Sequence, residues 1–380
     1  MGMSDIKTAD EFKKLLFARC TDDERQRTFK EIRKIMEVAP KTDVFILGVK
    51  MYAVHMTMLL KKYCGINKFN YVLEDMEACE EQRLVGGYDI ISLDEYFENR
   101  TEHSIFFAGS RKFIEKYGTR IPKIYNINYG WVNDKPILWS RKLVESNIEM
   151  FFHTYCLLSD DRSRQLMVEW MIASLTGHME DLYRLKTDAQ YFNEITVGLR
   201  RGVYVDCGAY DGDTIHSFVG FCDKYERIVA FEPDESNYLK LCARLEAESI
   251  RNTEPIKAGV YYRNGEVCFN SKSQDITARY IIDSIEGESI DVRSIDSLHI
   301  DTVSLIKMDI EGSELDALRG ARETIKKAKP MIAVCVYHKS DDLITIPQYI
   351  CDLLGGGTCK FYLRYHGNSL TELVLYAVPK

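Results

Sequence analysis

Val203-Tyr-Val-Asp-Cys-Gly-Ala-Tyr-Asp-Gly-Asp-Thr214 is the stretch whose reading decides the fold. An apolar run meets an acid and a glycine turn, and the chain then resumes with helical spacing, which reads as strand, tight turn and helix. Gly208 and Gly212 allow the backbone to approach a ligand that a Cβ would push away. Asp213 or Thr214 is placed to cap the helix, whose N-terminus then faces that ligand. Arg227-Ile-Val-Ala-Phe-Glu-Pro233 reads as the next strand. It ends at Glu232, about 20 residues past the turn, where an acid conventionally takes both hydroxyls of a ribose. The spacing Asp-x-Gly-x-x-x-Gly differs from the dinucleotide fingerprint Gly-x-Gly-x-x-Gly. With Asp206 in place of the first small residue, the turn suits a ligand bearing a sulfonium and an amino group better than one bearing a pyrophosphate.

Strand and helix patterns alternate from Gly202 onward. The expected strands are Val203–Asp206, Arg227–Glu232, Pro255–Tyr261, Val303–Asp309, Pro330–Tyr337, Cys359–Tyr365 and Glu372–Val378. Helical patterns follow most of the early ones, so the sheet is expected to be mostly parallel and doubly wound, with its ligand at the carboxyl ends of the strands. Only His366-Gly-Asn-Ser369 joins the last two. So short a link requires a hairpin, hence one antiparallel strand at the end of the sheet. The segment between Asn264 and Asp291 reads as an insertion with a hairpin, and its polar Ser271, Ser273, Gln274 and Asp275 are candidates for the rim of the site.

A third motif, Lys307-Met-Asp-Ile-Glu-Gly-Ser-Glu314, ends a buried strand and opens a helix with Ser313 at the N-cap position. Four ionisable side chains at the end of an apolar strand are costly unless paired or used. Asp309 stands where the chain leaves the sheet and is the first candidate to line the cavity.

These motifs, Val205-Asp-Cys-Gly-Ala-Tyr-Asp-Gly-Asp-Thr214, Phe231-Glu-Pro233, Lys307 to Glu314 and the closing Glu372-Leu-Val-Leu-Tyr-Ala377, resemble those of FkbM-type methyltransferases dependent on S-adenosylmethionine. The resemblance covers about Tyr191 to Lys380, and the upstream half is similar to a bacterial subgroup with a small Rossmann-like domain in front. It implies a class I methyltransferase fold with an antiparallel terminal strand. It also implies methyl transfer chiefly to oxygen, with acceptors among sugars, glycan precursors and secondary metabolites. Asp206, Gly208, Ala209, Tyr210, Gly212, Asp213 and Thr214 are then expected along the methionine end of the cofactor. Glu232 and Pro233 are expected at the ribose, adenine near Ala258 to Val260, and Asp309 with Glu311 near the transfer site. No acid stands at the adenine position, so a backbone group or Asp275 would have to serve.

The rest of the chain sets bounds. Its 380 residues predict two domains, and we expect an N-terminal part over 1–140, a helical connector over 141–200 and the methyltransferase domain over 201–380. Asp43–Leu47, Tyr71–Glu74 and Ser104–Ala108 read as strands of a small α/β unit, and Thr8-x-x-Glu11 and Thr21-x-x-Glu24 as capping boxes. Gly48-Val-Lys-Met-Tyr-Ala53 keeps two small residues of a dinucleotide turn but puts Lys50 where backbone must meet pyrophosphate, so no dinucleotide is expected there. In the connector, Ser159-Asp-Asp-Arg-Ser163 reads as a cap, Leu166, Met167, Trp170, Met171 and Leu175 as a buried helix face, and Tyr191 with Phe192 as packing between domains, the reading preferred here to shaping the substrate cleft. The formal net charge of −8 carries no basic footprint for nucleic acid or membrane. No run reaches the ~20 apolar residues of a membrane helix. The 11 cysteines are odd in number and scattered, without a Cys-x-x-Cys pair, as expected of reduced thiols in a cytoplasm. The expected partner is a small-molecule or glycan substrate, and self-association is left open.

For a hydroxyl acceptor the proton must leave. His338, after the strand that ends at Tyr337, is the expected general base, as a neutral imidazole near pH 7. Asp309 orients the acceptor, and His216 reads as packing. Alternatively, Asp309 and Glu311 could hold a divalent, magnesium-like ion that acidifies the hydroxyl, but with only two clustered carboxylates this is the weaker reading and no metal is assigned. Two rival readings remain: a non-catalytic module that keeps the cofactor pocket for sensing or assembly, and a nicotinamide-dependent oxidoreductase using the N-terminal unit.

Overall fold

The structure, a computed structural model, describes residues 5–20, 24–38, 42–48, 53, 56–57, 60–61, 64–74, 84–85, 88–108, 111–121, 123–126, 141–222, 224–269, 281–282, 288–367 and 370–380. Lys50, Thr21 and the rim candidates Ser271 to Asp275 lie outside them. The chain divides into two units. One comprises Met1–Leu15, Arg141–Trp170 and Glu180–Lys380, the other Leu16–Ser140 and Met171–Met179.

In the second unit the apolar runs Val44–Leu47 (β1), Asn70–Leu73 (β2) and Ile105–Ala108 (β5) form the middle of a six-stranded sheet. Leu84–Val85 (β3), Tyr88–Ser92 (β4) and Ile124–Asn126 (β6) complete the order β3-β4-β2-β1-β5-β6, parallel except for the β3–β4 pair. Ala53, Met56 and Leu60, at helical spacing, pack in one cluster with Val44, Ile46 and Phe107.

The first unit holds a seven-stranded sheet. Its strands are Val203–Cys207 (β7), Arg227–Phe231 (β8), Thr253–Ile256 (β9), Val303–Met308 (β14), Met331–Cys335 (β15), Cys359–Tyr365 (β16) and Leu373–Pro379 (β17). The order is β16-β17-β15-β14-β7-β8-β9. The pairs from β15 to β9 are parallel, so these strands deliver their carboxyl ends to one edge. Chain order reverses where β7 meets β14, the position at which open α/β sheets bind ligands. β7 and β14 are buried along their whole length, as central parallel strands covered on both faces must be.

Two expectations are corrected. The antiparallel strand is not at the end of the sheet: β17 inserts between β15 and β16, antiparallel to both. A hairpin link requires only that β16 and β17 be neighbours, and β17's closing apolar run is better buried inside the sheet than at its edge. The expected strand Pro255–Tyr261 is two short ones. β9 stops at Ile256, and Gly259–Val260 (β10) joins a separate sheet with Gly265–Phe269 (β11), Ile281–Ile282 (β12) and Glu288–Arg293 (β13) in the order β10-β13-β11-β12.

The helices Ile148–Leu157 and Asp161–Thr176 occupy the connector, the second capped by Asp160, which accepts the Ser163 N–H at 2.7 Å. Thr8 and Glu11 exchange the two bonds of a capping box, both at 3.2 Å. No helix among the described residues is long and apolar enough to cross a membrane.

Candidate active site

The turn after β7 is organised by a buried ion pair. Asp206 and Lys307 face one another in the β7–β14 register. Their side chains are almost fully buried, with Nζ 3.1 Å from Oδ1. Thr214 Oγ1 donates to Asp206 Oδ2 at 2.6 Å, and Lys307 Nζ donates to the Gly208 carbonyl at 2.7 Å. Each charge therefore has a partner, as burial demands. Asp206 and Thr214 hold strand, turn and helix together from inside the protein.

The glycines serve the same packing. Gly208 has φ +81°, and a Cβ there would overlap the Asp309 carbonyl oxygen of the neighbouring strand end. Gly212 has φ +88°, with Leu241 Cδ1 3.0 Å and Arg244 Cδ 3.3 Å from where its Cβ would lie. The expectation that they clear room for a ligand is thus corrected: the protein's own chain fills those spaces. The helix cap is Gly212 itself, without a side-chain bond, and the helix Asp213–Phe221 begins at Asp213. Asp213 is exposed at the first position of that helix. Ser313 holds the N-cap position expected of it, again without a side-chain bond.

Glu232 emerges from β8 onto the ligand edge, 6% exposed. Oε2 accepts the Tyr210 N–H and Oε1 the Asp234 N–H, both at 2.9 Å. Burial pushes its pKa up to about 7, against the lowering effect of those two bonds. Tyr210 takes φ +49°, a conformation unusual for a side-chain-bearing residue and one that turns its N–H to Glu232. Ala209 is buried with its N–H on the Phe231 carbonyl at 2.9 Å, and Pro233 is half-buried. Val260 is buried in β10, paired with Arg293, and does not stand at the end of the third strand.

The ends of β14 and β15 bring together groups far apart in sequence. Glu311 and Gly312 both take positive φ, +55° and +100°, and turn the chain from β14 into the helix Glu314–Arg319. Glu314 Oε1 accepts the Ile310 N–H at 3.0 Å and lies 2.8 Å from His338 Nδ1. His338 Nε2 lies 3.5 Å from Asp309 Oδ1 and 3.8 Å from Glu311 Oε2. Tyr191 donates its hydroxyl to Asp309 Oδ2 at 3.0 Å. Asp309 and Glu311 keep about a quarter of their side chains exposed, whereas His338 and Glu314 are buried.

Two further expectations change here. Burial alone would depress the His338 pKa, but the charges of Glu314, Glu311 and Asp309 outweigh it and push it up to about 10. The residue is an imidazolium at neutral pH, not the neutral base expected. In return, His338 holds Asp309 and Glu314 below the usual carboxylate range despite their desolvation. Tyr191 was expected between domains but belongs to this cluster, with its N–H on the Tyr376 hydroxyl at 3.1 Å. Phe192 packs against Tyr204, Phe218 and Phe221 of the same unit. Nothing in the local pattern marks Tyr191, which is joined to Asp309 only by the fold. Glu314 was visible in the third motif, but its bond to His338 was not.

The edge suits a cationic nucleoside. Each Glu232 oxygen accepts a single N–H and so keeps a lone pair for a ribose hydroxyl. At the ends of β14 and β15 three carboxylates face one imidazolium, leaving an excess of negative charge. A seven-stranded sheet of this order, with an acid after its second strand and a carboxylate cluster after its fourth, defines a class I methyltransferase. Residues 206–354 match the family described as the Methyltransferase FkbM domain. The crystal structure of methyltransferase FkbM from Methylobacillus flagellatus KT is similar over 93% of this chain and 99% of its own, at 25% identity and a TM-score of 0.67. An rRNA methylase from Streptococcus thermophilus (15% identity, TM-score 0.31, 47% of this chain and 87% of its own) is more distant. So is a SAM-dependent methyltransferase from Aquifex aeolicus (14%, 0.29, 48% and 85%). No curated protein matches significantly. The FkbM methyltransferase match is thus to residues 206–354, and the cofactor is S-adenosylmethionine.

Proposed function

We propose that the protein methylates a hydroxyl oxygen of a sugar, a glycan precursor or a related small metabolite. The observation that carries this reading is the Tyr191–Asp309–His338–Glu314 chain of contacts on the edge that also presents Glu232. S-adenosylmethionine supplies an electrophilic methyl group on a sulfonium. Glu232 binds the ribose through its two free lone pairs, and the carboxylate excess attracts the positive end of the cofactor. Asp309, oriented by Tyr191 through Oδ2 and facing His338 through Oδ1, accepts a hydrogen bond from the acceptor hydroxyl and places its oxygen in line with the methyl carbon. As the C–O bond forms and the C–S bond breaks, the sulfur keeps the electron pair and the hydroxyl proton passes to the Asp309 carboxylate. His338, already protonated, positions the carboxylates and does not take that proton. The acidic surroundings and the net charge of −8 favour a neutral polyol over a nucleic acid.

The test is a screen of the full chain with methyl-labelled cofactor against nucleotide sugars and oligosaccharides, read by mass spectrometry. Formation of a methyl ether is expected. Cofactor binding without transfer to any hydroxyl, or transfer to an amine alone, overturns the proposal.

A further inference from the structure

The cluster at the ends of β14 and β15 has a geometry that hydrogen bonding does not use up. His338 Nε2 is buried and makes no hydrogen bond. It faces Asp309 Oδ1 at 3.5 Å and Glu311 Oε2 at 3.8 Å, beyond a good N–H···O bond. Two ligands bound at ~2.1 Å around a tetrahedral ion stand about 3.4 Å apart, so these separations are those of donors sharing an ion rather than a proton. Ligand atoms of Asp309, Glu314 and His338 all lie within 4.8 Å of one another.

We propose that His338 Nε2 and Asp309 Oδ1 anchor a divalent transition-metal site, with Glu311 Oε2, 3.8 Å from Nε2, drawn in as a third ligand when the ion binds. The outer contacts are those that such sites use. Binding of the ion displaces the proton that the imidazolium carries on Nε2 to solvent, while Glu314 Oε1, 2.8 Å from Nδ1, accepts the proton kept there and so turns Nε2 toward the ion. Tyr191 holds Asp309 by Oδ2 and leaves Oδ1 to ligate. One imidazole and two carboxylates select the Mn2+, Fe2+, Co2+ and Zn2+ class over Ca2+, which takes oxygen ligands. Three protein ligands leave a position open, as in catalytic sites.

The use of that open position rests on the methyl-transfer reading; the site itself does not. An acceptor hydroxyl bound there would be acidified by the ion and lose its proton to water, relieving Asp309 of that task. Its oxygen would then form the C–O bond while the C–S bond breaks.

Titration of the full, chelator-stripped chain with Co2+ in the absence of cofactor tests the site, read by visible d–d absorption and calorimetry. One Co2+ per chain is expected. Uptake is lost in His338→Ala and in Asp309→Asn, is weakened roughly 10- to 100-fold in Glu314→Gln, and is unchanged in His216→Ala, which removes an exposed histidine paired with Glu248. No saturable uptake by the wild-type chain, or equal uptake by His338→Ala, overturns the proposal. Should His338→Ala fail to fold, one equivalent of Cu2+ on the wild-type chain serves instead: nitrogen coupling in its electron paramagnetic spectrum supports the site, and an all-oxygen spectrum overturns it. Calorimetry with S-adenosylmethionine on the stripped chain separates the two readings, since cofactor binding with no metal uptake sinks only the ion.

Discussion

The two α/β units repeat one local device with different outcomes. In each, a glycine follows the first strand of its sheet at nearly the same backbone angle, φ +82° for Gly48 and +81° for Gly208. Each donates its N–H to the second strand, to Val72 O at 2.8 Å and to Phe231 O at 3.0 Å. An acid follows the second strand in both. Beyond this the units part. A Cβ on Gly48 would meet nothing among the described residues within 4 Å, whereas on Gly208 it would strike the Asp309 carbonyl. Glu74 is exposed and pairs with Lys116 at 3.7 Å, whereas Glu232 is buried and held by two backbone N–H groups. A strand, a glycine turn and an acid make a place for a site; burial and fixed donors make the site.

The largest contrast is expected at the ion pairs. Lys307→Met leaves Asp206 buried and uncompensated, and is expected to cost about 3–5 kcal/mol of stability in denaturant unfolding. Lys116→Met removes an exposed pair with Glu74 and a ring contact with Tyr117, and should leave the unfolding midpoint nearly unchanged. Equal effects would break the comparison. At the glycines, Gly208→Ala combines a strained φ with backbone overlap and should cost about 2–4 kcal/mol. Gly48→Ala meets only the strain, about 1–2 kcal/mol.

Calorimetry with S-adenosylmethionine sharpens the comparison of the acids. Glu232→Ala should lose about 1.5–3 kcal/mol of binding, and Glu74→Ala none. The pH response follows from the raised pKa of Glu232, about 7. On the proposed ribose contact the carboxylate is the binding form, so affinity should fall as pH drops below 7, by up to roughly tenfold per unit, and Glu232→Gln should flatten the profile. For folding the sign is opposite. The buried acid prefers its proton, so its contribution is fully present below the ordinary glutamate value and is lost as pH rises through about 7. The smallest effect is a null one: NADH titrated into the full chain should show no saturable fluorescence change, and saturation would give the N-terminal unit a site of its own.

Much of the frame was legible because it rests on local order. Period-two and unbroken apolar runs marked the strands, and the spacing of Asp206, Gly208 and Gly212 against Glu232 marked the cofactor class, since turn and strand end are close in sequence. The third motif placed charge at the end of β14. Legibility failed where two distant segments had to meet. The short link joining β16 to β17, residues 366–372, required a hairpin, but not that β17 insert beside β15. Tyr191 looked like packing because its partner lies 118 positions away.

The sequence by itself therefore determined the type of sheet, the order of strand, turn and acid, and the cationic nucleoside that such an edge takes. Backbone periodicity and turn chemistry depend on neighbours along the chain. Only the tertiary structure decided what the charged groups are. Asp206 became an internal counterion when β14 laid Lys307 beside it. His338 became a cation when three carboxylates from another strand end closed around it. A charge state is set by burial and by the sum of nearby charges, and neither exists until the chain has folded.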